Sequence, residues 1–158
     1  MYIFGLMVII VLFIITNRKI TITLESDGVI IDTIKVKPNE IVNLIIPAKD
    51  GYDFNGWYNN GIYVDNHTSF EKNTVLKAEW LDEDRQKVKL SFVDDAGELI
   101  KSDMYKCGGV FGDRINRIVL VSDMDRTFVG WEDEAGNIVT ESYKIECKDM
   151  TFKAKWEQ

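Results

Sequence analysis

The feature that most constrains this chain is an aromatic motif that occurs twice. Gly51-Tyr52-Asp53-Phe54-Asn55-Gly56-Trp57-Tyr58 returns in altered form as Asp125-Arg126-Thr127-Phe128-Val129-Gly130-Trp131-Glu132. Each copy is followed by a segment that ends in tryptophan, Leu76-Lys77-Ala78-Glu79-Trp80 and then Phe152-Lys153-Ala154-Lys155-Trp156. The 4 tryptophans of the chain are used up by these pairs, Trp57 with Trp80 and Trp131 with Trp156. A repeat of this kind splits 158 residues into two small cores. Units of about 60–75 residues lie near the lower limit for independent stability.

Local patterning is that of strands. Ile20, Ile22 and Leu24 alternate with Thr21, Thr23 and Glu25, and Ser26-Asp27-Gly28 is turn chemistry, so 20–36 reads as a hairpin. Val88, Leu90 and Phe92 repeat the alternation before the turn Asp94-Asp95-Ala96-Gly97. In the closing segments Leu76, Ala78 and Trp80 share one face, as do Phe152, Ala154 and Trp156. Phe54 and Trp57 are three apart, and a regular strand would put them on opposite faces. A bulge is therefore expected near Gly56, and again near Gly130 beside Phe128 and Trp131. The connectors are less regular. Ile41–Ile46 fits a short helix or a strand, and Ile115, Ile118 and Val119 predict a helix within 113–120. The offset between copies grows from 69 at Gly28 and Gly97 to 74 at Trp57 and Trp131, which places extra residues in the second connector.

These residues resemble the internalin-type B-repeat, also called the Listeria–Bacteroides repeat. The likeness rests on Gly-Tyr-x-Phe-x-Gly-Trp-Tyr and a closing hydrophobic-x-Ala-x-Trp strand, and spans roughly 20–80 and 88–156. The second copy lacks Gly-Tyr, and both closing strands carry lysine, Lys77 and Lys153, where the family usually has tyrosine. The resemblance implies small β-grasp-like modules on secreted or surface-attached bacterial proteins, with spacer or adhesive roles and no enzymatic activity. The expected fold is thus α+β, mainly β, with two tandem β-grasp-like repeats after an N-terminal transmembrane helix. The expected boundaries are an anchor at 1–19, repeats at 20–81 and 88–158, and a linker at 82–87.

The anchor is read from residues 1–16, which contain no ionisable side chain and precede Arg18 and Lys19. A helix of that length spans about 24 Å, close to a hydrocarbon core of roughly 30 Å with snorkelling at its end. By the positive-inside rule Arg18 and Lys19 would hold the repeats in the cytoplasm. The resemblance places them at the cell surface instead. A net charge of −7, with −2 over 17–81 and −5 over 82–158, argues against nucleic acid as a partner. Cys107 and Cys147 fit one disulfide in an oxidising compartment or two buried thiols in a reducing one.

No catalytic constellation, cofactor motif or metal-ligand set emerges. His67, the single histidine, sits in the loop Asn66-His67-Thr68 with no nucleophile or acid identified beside it. Gly108-Gly109-x-x-Gly112 lacks the Gly-Lys-[Ser/Thr] of a phosphate loop, and Asp94-Asp95 and Asp123-x-Asp125 lack the ligand count of a calcium loop. Phe54, Gly56, Trp57, Trp80, Phe128, Gly130, Trp131 and Trp156 read as structural, the tryptophans supplying the apolar area that small cores need. Tyr52, Tyr58 and Tyr63, absent from the second copy, are the candidate interaction surface. The expected function is a non-enzymatic, membrane-anchored surface module whose partner is a protein or cell surface. The alternative is a structural stalk or subunit with no ligand of its own.

Overall fold

The computed structural model describes residues 18–121 and 125–158. They are mainly β. Strands β1 (Ile20–Ser26), β2 (Val29–Val36), β3 (Tyr52–Asn59), β4 (Ile62–Val64) and β5 (Thr74–Asp82) form one sheet in the order β2-β1-β5-β3-β4. Strands β6 (Lys87–Val93), β7 (Leu99–Lys106), β8 (Thr127–Glu132) and β9 (Met150–Glu157) form a second in the order β7-β6-β9-β8. In both, the closing strand lies parallel to the first: Leu24 beside Leu76, and Phe92 beside Phe152. By contacts the chain divides into two compact units. Of the described residues, one takes in those up to Ile45 with Trp57–Ala78, the other Ile46–Gly56 with those from Glu79 to Gln158.

The alternation read from the sequence sets the cores. Ile20, Ile22, Leu24 and Leu76 are at most 1% exposed in the first unit, and Leu90, Phe92 and Phe152 are fully buried in the second. A parallel pair leaves a backbone donor at the head of its first strand, and each repeat caps it with a side chain. Asn73 Oδ1 accepts from the Thr21 N–H at 2.9 Å, and Asp149 Oδ1 from the Lys89 N–H at 2.8 Å. The β1–β2 turn has positive φ at both Asp27 (50°) and Gly28 (81°), the type I′ geometry whose twist matches its strands. Asn60 and Gly61 form the same turn between β3 and β4, which makes these strands a hairpin. In the second sheet two like sequences, Asp94-Asp95-Ala96-Gly97 and Asp133-Glu134-Ala135-Gly136, turn in the same way. Asp94 Oδ1 takes the Glu98 N–H and Asp133 Oδ1 the Asn137 N–H, at 2.7 and 2.8 Å.

The α component of the expected fold is corrected. The described residues contain no α-helix, and the helix expected within 113–120 is a short 3₁₀ helix, Gly112–Arg117. The Ile118 carbonyl accepts the indole N–H of Trp131 at 2.6 Å, and Ile118 itself has left helical geometry (φ −104°, ψ 79°), so the turn goes no further. Most of the extra length is this helix. Ile41 and Val110, 69 apart, each make an isolated bridge, to Ser69 and Lys144; Ile45 and Ile118, 73 apart, each accept a tryptophan N–H. Ile41–Ile46 is neither helix nor strand beyond that one bridge. Of the two states open to the cysteines, Cys107 and Cys147 form a disulfide. The transmembrane helix expected in 1–19 falls on residues 1–17, outside the described residues. Among those described, no helix is long and apolar enough to cross a membrane.

Candidate interaction surface

Phe54 and Trp57 can share a strand because the backbone bends between them. Gly56 takes φ 127° and Gly130 φ 155°, in the region L side chains avoid, and the β8–β9 register shifts between Phe128 and Gly130. The bend sends Trp57 and Trp131 into the cores, at 3% and 1% exposure. Each indole N–H then donates to a connector carbonyl, Trp57 to Ile45 at 2.8 Å and Trp131 to Ile118 at 2.6 Å. These two tryptophans tie the connectors to the sheets.

The closing tryptophans differ. Trp80 and Trp156 are only half-buried. Phe54 meets Trp80 edge-on with centroids 5.5 Å apart, and Phe128 meets Trp156 at the same separation. A cation lies over each: Lys49 Nζ is 5.7 Å from the Trp80 ring, and the Arg126 guanidinium is 4.8 Å from Trp156. Lys49 also sits 4.3 Å from the Tyr52 ring, across the turn that its own carbonyl closes by accepting the Tyr52 N–H at 3.1 Å. Arg126 pairs with Asp95 at 2.9 Å. Lys49 was missed in the sequence; its signal is a cation three residues before the motif tyrosine.

The three candidate tyrosines fall in two different units. Tyr52 is 41% exposed and belongs to the second unit. Tyr58, at 9%, is a core residue of the first unit and packs edge-on against half-buried Tyr63, 5.7 Å between centroids. Tyr58 is therefore withdrawn from the candidate surface, because its ring is spent on packing. The most exposed of the three is Tyr52, which lies beside Lys49, itself over the half-buried Trp80.

Residues 21–80 match the family model of the Listeria-Bacteroides repeat domain. The first repeat belongs to that family. The matched span begins within β1 and ends in β5, so the Listeria–Bacteroides repeat here is the whole five-stranded sheet with its connector. The match suggests a bacterial surface-associated module. Among curated proteins, none matches the chain. The second sheet shares with the Listeria–Bacteroides repeat the parallel central pair, the side-chain cap, the glycine bend, the indole bond and the cation over its closing tryptophan.

Polar side chains outside this surface do local work. Asp65 accepts from the His67 N–H at 2.9 Å and the Thr68 hydroxyl at 2.7 Å, and the Thr68 bond leads in holding its carboxyl below the ordinary value. Asp133 is held low chiefly by the backbone and side-chain N–H groups of Asn137. Tyr143 donates to Asp133 at 3.2 Å and its phenol is pushed up to about 12, first by burial and then by the Asp133 charge. Each of these carboxylates ties its own loop together. Among the described residues no three of His, Cys, Asp and Glu gather to hold a metal.

Proposed function

We propose that the chain is a non-enzymatic, membrane-anchored bacterial surface protein whose two β-grasp-like repeats mediate contact with a protein or a cell surface. The carrying observation is the Cys107–Cys147 disulfide, since such bonds persist in exported proteins and are rare where thiols are kept reduced. It supports the surface side of the topology conflict against Arg18 and Lys19. The anchor rests on the uncharged run 1–16, and the contact surface on Tyr52, Lys49 and Trp80. The test is protease treatment of intact cells carrying a tag after Gln158. Loss of the tag is expected, and protection until lysis would overturn surface display.

A stalk without a ligand is favoured by one observation. The first motif's tip is built into the second unit: Asn55, 9% exposed, accepts the Val110 N–H at 3.0 Å, and Asp53 pairs with Lys106 at 2.5 Å. Tyr52→Ala separates the readings. An interaction module loses cell or partner binding in this variant, whereas a stalk keeps all of its behaviour.

A further inference from the structure

One face of the second sheet carries a charge opposite to that of the chain. Val88, Leu90 and Phe92 of β6, with Met150, Phe152 and Ala154 of β9, point to the core, so the residues between them form the open face. On that face lie Lys87 and Lys89 of β6, Lys153 and Lys155 of β9, and Lys106 of β7. Against these five lysines stand four carboxylates: Glu132, Glu157, Asp149 at the rim on the Lys89 N–H, and Asp53 on Lys106. The excess is positive in a chain of net charge −7. The corresponding face of β1, β2 and β5 is balanced, with Lys35 and Lys77 against Glu25 and Glu79.

Lys106 is bound to Asp53 and Lys155 to Glu132 at 2.6 Å. Lys87, Lys89 and Lys153 are exposed and make no ion pair among the described residues. Neighbours two apart on one strand present charges roughly 6.6 Å apart. Between the two rows lie hydroxyls able to donate to anionic oxygen: Ser91 is paired with Thr151 on one side and with Ser102 on the other.

We propose that this face binds a linear phosphate-bearing polymer laid along β6 and β9. Charge complementarity names the class. The extended rows of lysine and hydroxyl fit a chain with regularly spaced phosphates. A lipid surface is the poorer fit: Leu99 and Met104 at the β7 edge are aliphatic, while the aromatic side chains that anchor proteins at a bilayer interface, Tyr105, Trp131 and Trp156, lie on the sheet's other side. The proposal goes beyond the Tyr52 surface. Surface display would bring such a polymer within reach, but binding in solution does not depend on it.

The test uses the full chain in non-ionic detergent and labelled long-chain inorganic polyphosphate, read by fluorescence anisotropy across 50–200 mM salt. Saturable binding is expected, with a log–log salt slope of about −2 for three lysine contacts on a flexible polyanion. Lys89→Gln with Lys153→Gln should weaken binding roughly tenfold and flatten the slope by about 1.4. The control pair, Lys35→Gln with Lys77→Gln, should leave both unchanged. Equal weakening by both pairs, no saturable binding, or binding to anionic phospholipid vesicles but not to polyphosphate would each overturn the proposal. Tag protection on intact cells would sink surface display alone.

Discussion

Removing the disulfide tests whether chain topology or local hydrogen bonding holds the second repeat closed. Cys107 and Cys147 are 40 residues apart in sequence. Closing a loop of that size lowers the entropy of the unfolded chain by an amount worth about 4 kcal/mol at 25 °C. The native state needs little help from the bond. Beside it, the Gly108 N–H donates to the Ile145 carbonyl at 2.7 Å, the Ile145 N–H to Gly109 at 2.8 Å, and the Gly112 N–H to Glu141 at 2.9 Å. The perturbation is Cys107→Ala with Cys147→Ser, because Cys107 is 4% exposed and a serine there would bury a hydroxyl. Native tryptophan fluorescence should be kept while stability falls by about 3–4 kcal/mol. With a urea m-value of about 1.5 kcal/mol/M, the midpoint of the second unit drops by roughly 2–3 M. A loss under about 1 kcal/mol would refute the loop-closure reasoning and assign the closure to the 108–145 ladder.

Gly130→Ala has room for its methyl group, 3.6 Å from Ile138 Cγ2, yet forces an L residue to φ 155°. Urea denaturation should show a loss of about 1–3 kcal/mol, and an unchanged midpoint would mean that the bend relaxes freely. Trp131→Phe keeps most of the buried ring but strands the Ile118 carbonyl, and should cost about 1–3 kcal/mol in the same assay. For Tyr143, a folded pKa raised from 10.0 to about 12 means the folded state holds the phenolic proton more tightly. Its contribution is complete below pH 10 and lost as pH rises to about 12, so Tyr143→Phe should flatten the decline in stability across that window.

The sheets were legible because their signals are local. Ile20, Ile22 and Leu24 carry a period of two, Asp27-Gly28 marks a turn, and the spacing of Phe54 and Trp57 demands a bend that the glycines supply. The connector of the second repeat was misread because Ile115 and Ile118 satisfy a helical spacing that a single 3₁₀ turn also satisfies. What ends the turn, the Trp131 indole at Ile118, lies 13 residues away in sequence. The Asn60-Gly61 hairpin was available in the sequence, since Asn-Gly between apolar segments is a strong turn signal. The interaction surface was half legible. Nothing in the order of residues distinguishes Tyr52, outside, from Tyr58, inside, until the Gly56 bend is in place.

Duplication turns the structure into an internal control. Positions that do the same work in both copies belong to the framework: Trp57 and Trp131 on their carbonyls, Asn73 and Asp149 on the first strand. Function is to be sought where the copies part. Cys107 has no counterpart in the first repeat, where Pro38 stiffens the same point of the chain. The 3₁₀ helix is an insertion, and Tyr52 is replaced by Arg126. Net charge could never have shown the lysine face, because Lys89 and Lys153 come to share one face only through the β6–β9 register. If that face and Tyr52 each prove to bind, the tandem divides its labour, the first motif supplying the aromatic contact and the second sheet the electrostatic one. A variant combining Tyr52→Ala with Lys89→Gln and Lys153→Gln should then lose both kinds of binding additively, since no partner is shared between the two sites.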